Sequence, residues 1–103
     1  MLIDKGVSVG EVVTLKLTSG EEIIAKLAED TETTLKLSKP LVLTMAQQGL
    51  GMAPYLFTVD PEKDVKINKS TVVVMEASAK PFADQYIQGT TGIAMATPTP
   101  DTK

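Results

Sequence analysis

The residues with the most chemical reach in this chain are carboxylates. Glu21-Glu22 follow Ser19-Gly20 directly, and Glu29, Asp30 and Glu32 crowd into a second short polar run. Two carboxylates whose surroundings push their pKa values apart can divide acid and base roles, and clustered acids can hold a hard divalent cation. Neither chemistry fits the spacing. Neighbouring strand residues point to opposite faces, so Glu21 and Glu22 make poor partners. The 29–32 run lacks the spacing of a calcium loop, and acids in a turn are ordinarily a solvated surface. A softer set, Met45, Met52 and Tyr55, offers a contact surface, although methionine more commonly fills a core. No phosphate-binding loop, nucleophile elbow or dinucleotide fingerprint occurs.

The missing residue types narrow the chemistry further. The 103 residues include no Cys, His, Trp or Arg, and all ten basic residues are Lys. A thiolate nucleophile, a His-dependent triad and a structural zinc site are thereby removed. The expectation is a non-enzymatic protein without a cofactor. Net charge is −3, whereas proteins that grip nucleic acid without regard to sequence are usually basic, so any nucleic-acid site must be local. The length suits one domain, and a domain this small gains from oligomerisation because it buries only about two-thirds of its surface. No apolar run reaches the roughly 18 residues of a membrane span, and MLIDKG does not resemble the start of a secretory signal. The expected location is cytoplasmic, with no membrane partner.

These side chains need a scaffold, and the hydropathy pattern supplies one. Val13, Leu15 and Leu17 alternate with Thr14, Lys16 and Thr18, the period of a half-buried strand. Ser19-Gly20 turns the chain, since glycine takes positive φ without steric cost. Glu22–Ala28 forms a second strand with Ile23, Ala25 and Leu27 on one face; Ile24 on the other face implies that this side is partly covered too. After the turn at 29–32, a third strand runs from about Thr33 to Met45. Lys39-Pro40 interrupts it, and because proline cannot donate to a ladder, Pro40 belongs at an edge or a bend. A long strand broken near its middle suits a strongly curved barrel. A loop at 47–51 leads to a fourth strand, Tyr55–Val59, briefly continued by Val65 and Ile67 after the turn at 60–63. A turn at 68–70 precedes the last strand, Thr71–Glu76. Pro81, suited to a first helical turn, and the spacing of Phe82, Tyr86 and Ile87 predict a short amphipathic helix over about 80–91. The Pro/Thr-rich end reads as a mobile tail. The predicted fold is all-β: a small, strongly bent, five-stranded SH3-like barrel over residues 1–79, then a C-terminal segment, 80–103.

With the strands in this order, VTLKLTSGEEIIAKLAED followed by TTLKL resembles the first motif of the Sm-like family, which includes the LSm and Hfq-type proteins. Gly20 falls on the family's turn glycine, Ala25 where a small residue is preferred, and Leu27 on the next apolar position. Asp30 matches the turn aspartate after a one-residue deletion, and Thr34-Leu35 stand in for Asn-Leu. The second motif, an Ile-Arg-Gly turn leading into an apolar strand, is similar to Ile67-Asn68-Lys69-Ser70-Thr71-Val72. The likeness spans roughly residues 12–76.

This resemblance implies a homo-oligomeric ring of six or seven copies that binds single-stranded RNA as a riboregulator or RNA chaperone-like factor. It would place Thr31, Glu32, Thr33 and Thr34 on one wall of a base pocket and Asn68 and Lys69 on the other, with Lys66 and Lys69 meeting phosphate. Such a pocket needs a flat group to stack the base, an amide to read its edge and a cation. Residues 29–34 contain no aromatic, Thr34 replaces the family's Asn and Asn68 replaces its Arg. The lysines act as point charges rather than forks. The resemblance also implies that subunits pair through the fourth and fifth strands, here Tyr55 and Phe57 with Val72, Val73 and Val74. The TVVVME segment carries no Pro or Lys to guard its edge, and pairing with a second copy in a closing ring would satisfy it. The alternative is a structural or adaptor SH3-like barrel that binds protein partners without RNA.

Overall fold

The computed structural model describes residues 7–47 and 49–91; the predicted mobile tail lies outside the described residues. The described residues form six strands: β1 (Val12–Leu17), β2 (Glu22–Asp30), β3 (Thr34–Ala46), β4 (Gly49–Pro54), β5 (Val65–Asn68) and β6 (Val72–Ala77). A 3-10 turn at Lys69–Thr71 joins β5 to β6, and helix α1 (Lys80–Thr91) follows over the predicted range.

All pairings are antiparallel, in the order β4-β3-β2-β1-β6, with β5 also on β3. The fourth and fifth strands divide β3 between them. β5 pairs with Thr34–Leu37 and β4 with Leu41–Ala46. The alternating apolar residues of β1, β2 and β3 meet in one core of Val13, Leu15, Leu17, Ile23, Ala25, Leu27, Leu35 and Leu37. Tyr55, Ile67, Val72 and Met75 pack against its margin. Gly20, at φ 102°, makes the β1–β2 turn in the left-handed region that favours glycine.

Three expectations need correction. The strand count is six rather than five, because Val65–Asn68 is a strand of its own and a separate strand lies at Gly49–Pro54. The barrel is not closed, since among the described residues no ladder joins β6 to β5 or to β4. Finally, Tyr55 and Phe57 are not on a strand. Residues 55–64 form bends and turns. Strand residues two apart share a face, yet Tyr55 packs on the core while Phe57 is 80% exposed. The 47–51 stretch read as a loop because of its glycines. In the structure those glycines begin a hairpin strand, with Gly49 at φ 125° and Gly51 lying close against the Thr44 side chain.

The break at Lys39-Pro40 lies on an interior strand, where β3 changes partner from β5 to β4. Opposite it, the β2–β3 register shifts between Ile24 and Lys26, a bulge of the kind that bends a sheet. Lys39 is in the left-handed region at φ 49°. Helix α1 is anchored at this irregularity. The Tyr86 hydroxyl accepts from the Lys26 N–H at 3.1 Å and donates toward the carbonyls of Ser38 (2.6 Å) and Lys39 (3.1 Å). Lys39 Nζ in turn donates to the Thr90 carbonyl in the last turn of α1 (3.0 Å), where a cation is favoured by unpaired carbonyls. The helix therefore satisfies backbone groups that the bulge withdraws from the ladder. Ile24, on the face of β2 opposite the main core, is fully buried, which agrees with a covered second face.

Among the described residues no helix is long and apolar enough to cross a membrane.

Candidate nucleic-acid interface

The two turns singled out by motif are brought together. Thr34 is paired with Asn68 across β3 and β5, and the Lys69 N–H donates to the Thr33 carbonyl at 2.8 Å. The residue pairing of β3 with β5 thus sets the 31–34 turn beside the 3-10 turn at 69–71.

Their chemistry is less open than their position. The Thr31 and Thr34 hydroxyls lie 2.7 Å apart. Thr31 Oγ1 also accepts from the Thr34 N–H and lies 3.2 Å from the Thr34 carbonyl. Both hydroxyls are engaged in closing their own turn, as short polar side chains commonly are. Glu32 and Thr33 are exposed. Lys69 Nζ is 2.6 Å from Asp30 Oδ1, with both side chains about one-third exposed. Lys36 Nζ meets Glu29 Oε1 at 3.2 Å across the strand pair. The acidic run is therefore partly neutralised by lysines, and among the described residues no cluster of three or more His, Cys, Asp or Glu could hold a metal ion. Half-exposed ion pairs of this type contribute little to stability, about 0–1 kcal/mol, but they reduce the positive charge available to a phosphate.

Lys66 differs from Lys36 and Lys69. It lies directly opposite Lys36, is exposed, and makes no ion pair among the described residues. It borders a cleft of about 380 Å³ between the β1–β2 turn and β5, on whose other walls lie Tyr55, Asn68, Thr18 and Thr71. Tyr55 is the functional candidate that its reading as an edge-strand residue missed. The sequence signal was an aromatic next to Pro54, in a chain with only two Tyr and two Phe.

A second concavity, about 260 Å³, lies between the 54–65 loop and the last turn of α1. Pro40, Leu41, Pro54, Leu56 and Val59 make much of its lining apolar.

Of the predicted edge residues, Val72 faces the core margin, whereas Val73 and Val74 are 61% and 49% exposed. β6 pairs with β1 alone among the described residues, so its outer edge carries unpaired backbone groups.

No known family's sequence profile matches this chain, and no curated protein is significantly similar to it in sequence.

Proposed function

We propose that this protein is a divergent, non-enzymatic Sm-like protein that assembles into a homo-oligomeric ring in the cytoplasm and binds single-stranded RNA. The observation that carries this reading is the meeting of the 31–34 turn with Asn68-Lys69, the juxtaposition that an Sm-like RNA-binding face requires. Support for assembly comes from the unpaired outer edge of β6 and from the uncharged stretch between Lys39 and Asp60, in which Met45 and Phe57 are about four-fifths exposed. An edge of this kind is a liability in a lone soluble subunit and is relieved by strand pairing with a copy.

The test is titration with labelled oligo(U) and oligo(A) at two salt concentrations. Affinity that falls with salt, and falls further in Lys66→Ala/Lys69→Ala, is the expected result. Absence of binding at low salt removes the RNA function. One observation favours a second reading, an adaptor barrel for protein partners: Asp30 takes up the charge of Lys69, leaving the turn face with little attraction for phosphate.

A further inference from the structure

The cleft beside β5 contains the three groups that the 31–34 turn lacks: an aromatic ring, a side-chain amide and a cation that makes no ion pair among the described residues. Tyr55 packs one side against the core margin and lines the cleft. The Tyr55 N–H donates to the Pro40 carbonyl at 3.0 Å, which fixes where its side chain leaves the backbone. Asn68 precedes the 3-10 turn, but its side chain makes no capping hydrogen bond there, so the amide is available to a ligand. Its backbone carbonyl accepts the Thr71 hydroxyl at 2.7 Å, which steadies this wall. The Thr18 N–H donates to the Thr71 carbonyl at 2.8 Å, tying the β1–β2 turn to the opposite side. Glu29 and Asp30 neutralise Lys36 and Lys69, and Lys66 is the positive charge left at this edge. Glu21, two residues beyond Ser19 in the β1–β2 turn, accepts a hydrogen bond from the Ser19 hydroxyl, and its negative charge turns a phosphate away from that turn.

We propose that this cleft, and not the 31–34 turn, holds a nucleotide of a single RNA strand, its base against Tyr55, its base edge on the Asn68 amide and its phosphate at Lys66. The proposal rests on the RNA-binding reading above and specifies where it acts. Base–aromatic stacking and a local cation are what single-strand recognition uses, and the volume falls within the roughly 300–1,000 Å³ of small-molecule sites. The backbone ties across both walls mean that little ordering is left for the ligand to impose.

The experiment is amide chemical-shift mapping of the full chain with a short oligo(U), with UMP as a second probe, alongside fluorescence anisotropy of variants. The expected result is saturable shifts at Thr18, Asn68 and Thr71 with little change at Glu32 and Thr33. Tyr55→Leu should weaken binding by about 5- to 150-fold, the range of one lost stacking contact, and Tyr55→Phe should retain it. Lys66→Ala should lower the salt slope by about 0.7, one phosphate contact on a single strand. If Tyr55→Leu does not fold, the exposed Asn68→Ala and Lys66→Ala variants carry the test. Oligo(U) binding that shifts residues 31–34 and ignores Tyr55, Asn68 and Lys66 overturns the cleft while leaving the RNA function standing. Equal response to UMP and oligo(U) at the same concentration overturns a strand ligand. No response to either probe at low salt overturns both the cleft and the RNA function.

Discussion

Tyr86 is the residue on which the attachment of the C-terminal segment turns. It is buried, 3% exposed, and its hydroxyl meets one donor and two acceptors at the β2–β3 bulge. Tyr86→Phe keeps the ring but leaves these groups without their partner. The expected cost is about 1–3 kcal/mol, the penalty for buried polar groups left unsatisfied, measured by urea denaturation at neutral pH. The pH dependence gives an independent signature. Burial pushes the Tyr86 phenol above the ordinary value of 10.0; the Lys26 N–H pulls it partly back, and the charge of Asp64 adds to the rise. Above about pH 10 the unfolded chain therefore gives up this proton before the folded one does. The unfolded state then holds fewer protons, and stability falls as pH rises. The contribution is fully present below pH 10 and is lost as pH climbs through the raised folded value. Comparing the wild type with Tyr86→Phe between pH 9 and 11 should show this extra loss in the wild type only. A parallel decline in both proteins would show that the Tyr86 phenol is not its source. The spacing of Tyr86 with Phe82 and Ile87 indicated a helix. The hydroxyl's target was not legible, because it is a set of backbone groups exposed by a bulge that no local pattern announces; the clue was a tyrosine placed within an apolar stripe, where its polar end needs a partner.

At the scale of elements, the strands built on strict alternation were readable and the others were not. β1 and β2 were found close to their true limits because apolar residues recur at every second position along both and a glycine turn separates them. The interruption of β3 was visible in Lys39-Pro40, and so was the helix from Pro81. β4 was hidden because Gly49, Gly51 and Ala53 give one of its faces almost no side chain, which erases the period-two signal. Tyr55-Leu56-Phe57 imitated that signal in a segment that bends instead. The two turn segments of the candidate interface were legible through their motif order, but the cleft beside them depends on Tyr55 reaching the core from a bend, a long-range contact without a local cue. The same reasoning separates two glycines. Gly89 lies in α1, with nothing within 4 Å of where a Cβ would be, so Gly89→Ala should stabilise the protein by about 0.5–1 kcal/mol through helix propensity and the smaller entropy of the unfolded chain. Gly20 also has open space around it but sits at φ 102°. Gly20→Ala should therefore destabilise by about 1–2 kcal/mol from backbone strain alone. Thermal melts of the two variants should move in opposite directions. Equal shifts would overturn backbone conformation as the source of the difference between the two positions.

For the whole molecule, the open question of assembly reduces to what happens at the edge of β6. In the order β4-β3-β2-β1-β6 this strand is terminal, and its register against β1 shifts between Lys16 and Leu17, whose partners are Val74 and Val72. Val73 is thereby left without a partner residue on β1, and it is 61% exposed. A lysine introduced there meets solvent in the isolated subunit, so the fold should change by no more than about 0.5 kcal/mol, the usual range for surface substitutions. In a strand pair formed with a second copy, the same charge would lie in the contact and oppose it. Val73→Lys should therefore convert a discrete hexamer or heptamer into monomer at unchanged monomer stability, read by native mass spectrometry and by denaturant titration. A wild-type protein that is already monomeric would end the ring proposal and shift weight to the adaptor reading. A wild-type ring that persists in Val73→Lys would place the subunit contact elsewhere, and the uncharged β3–β4 hairpin with its exposed Met45 and Leu50 would be the next face to alter.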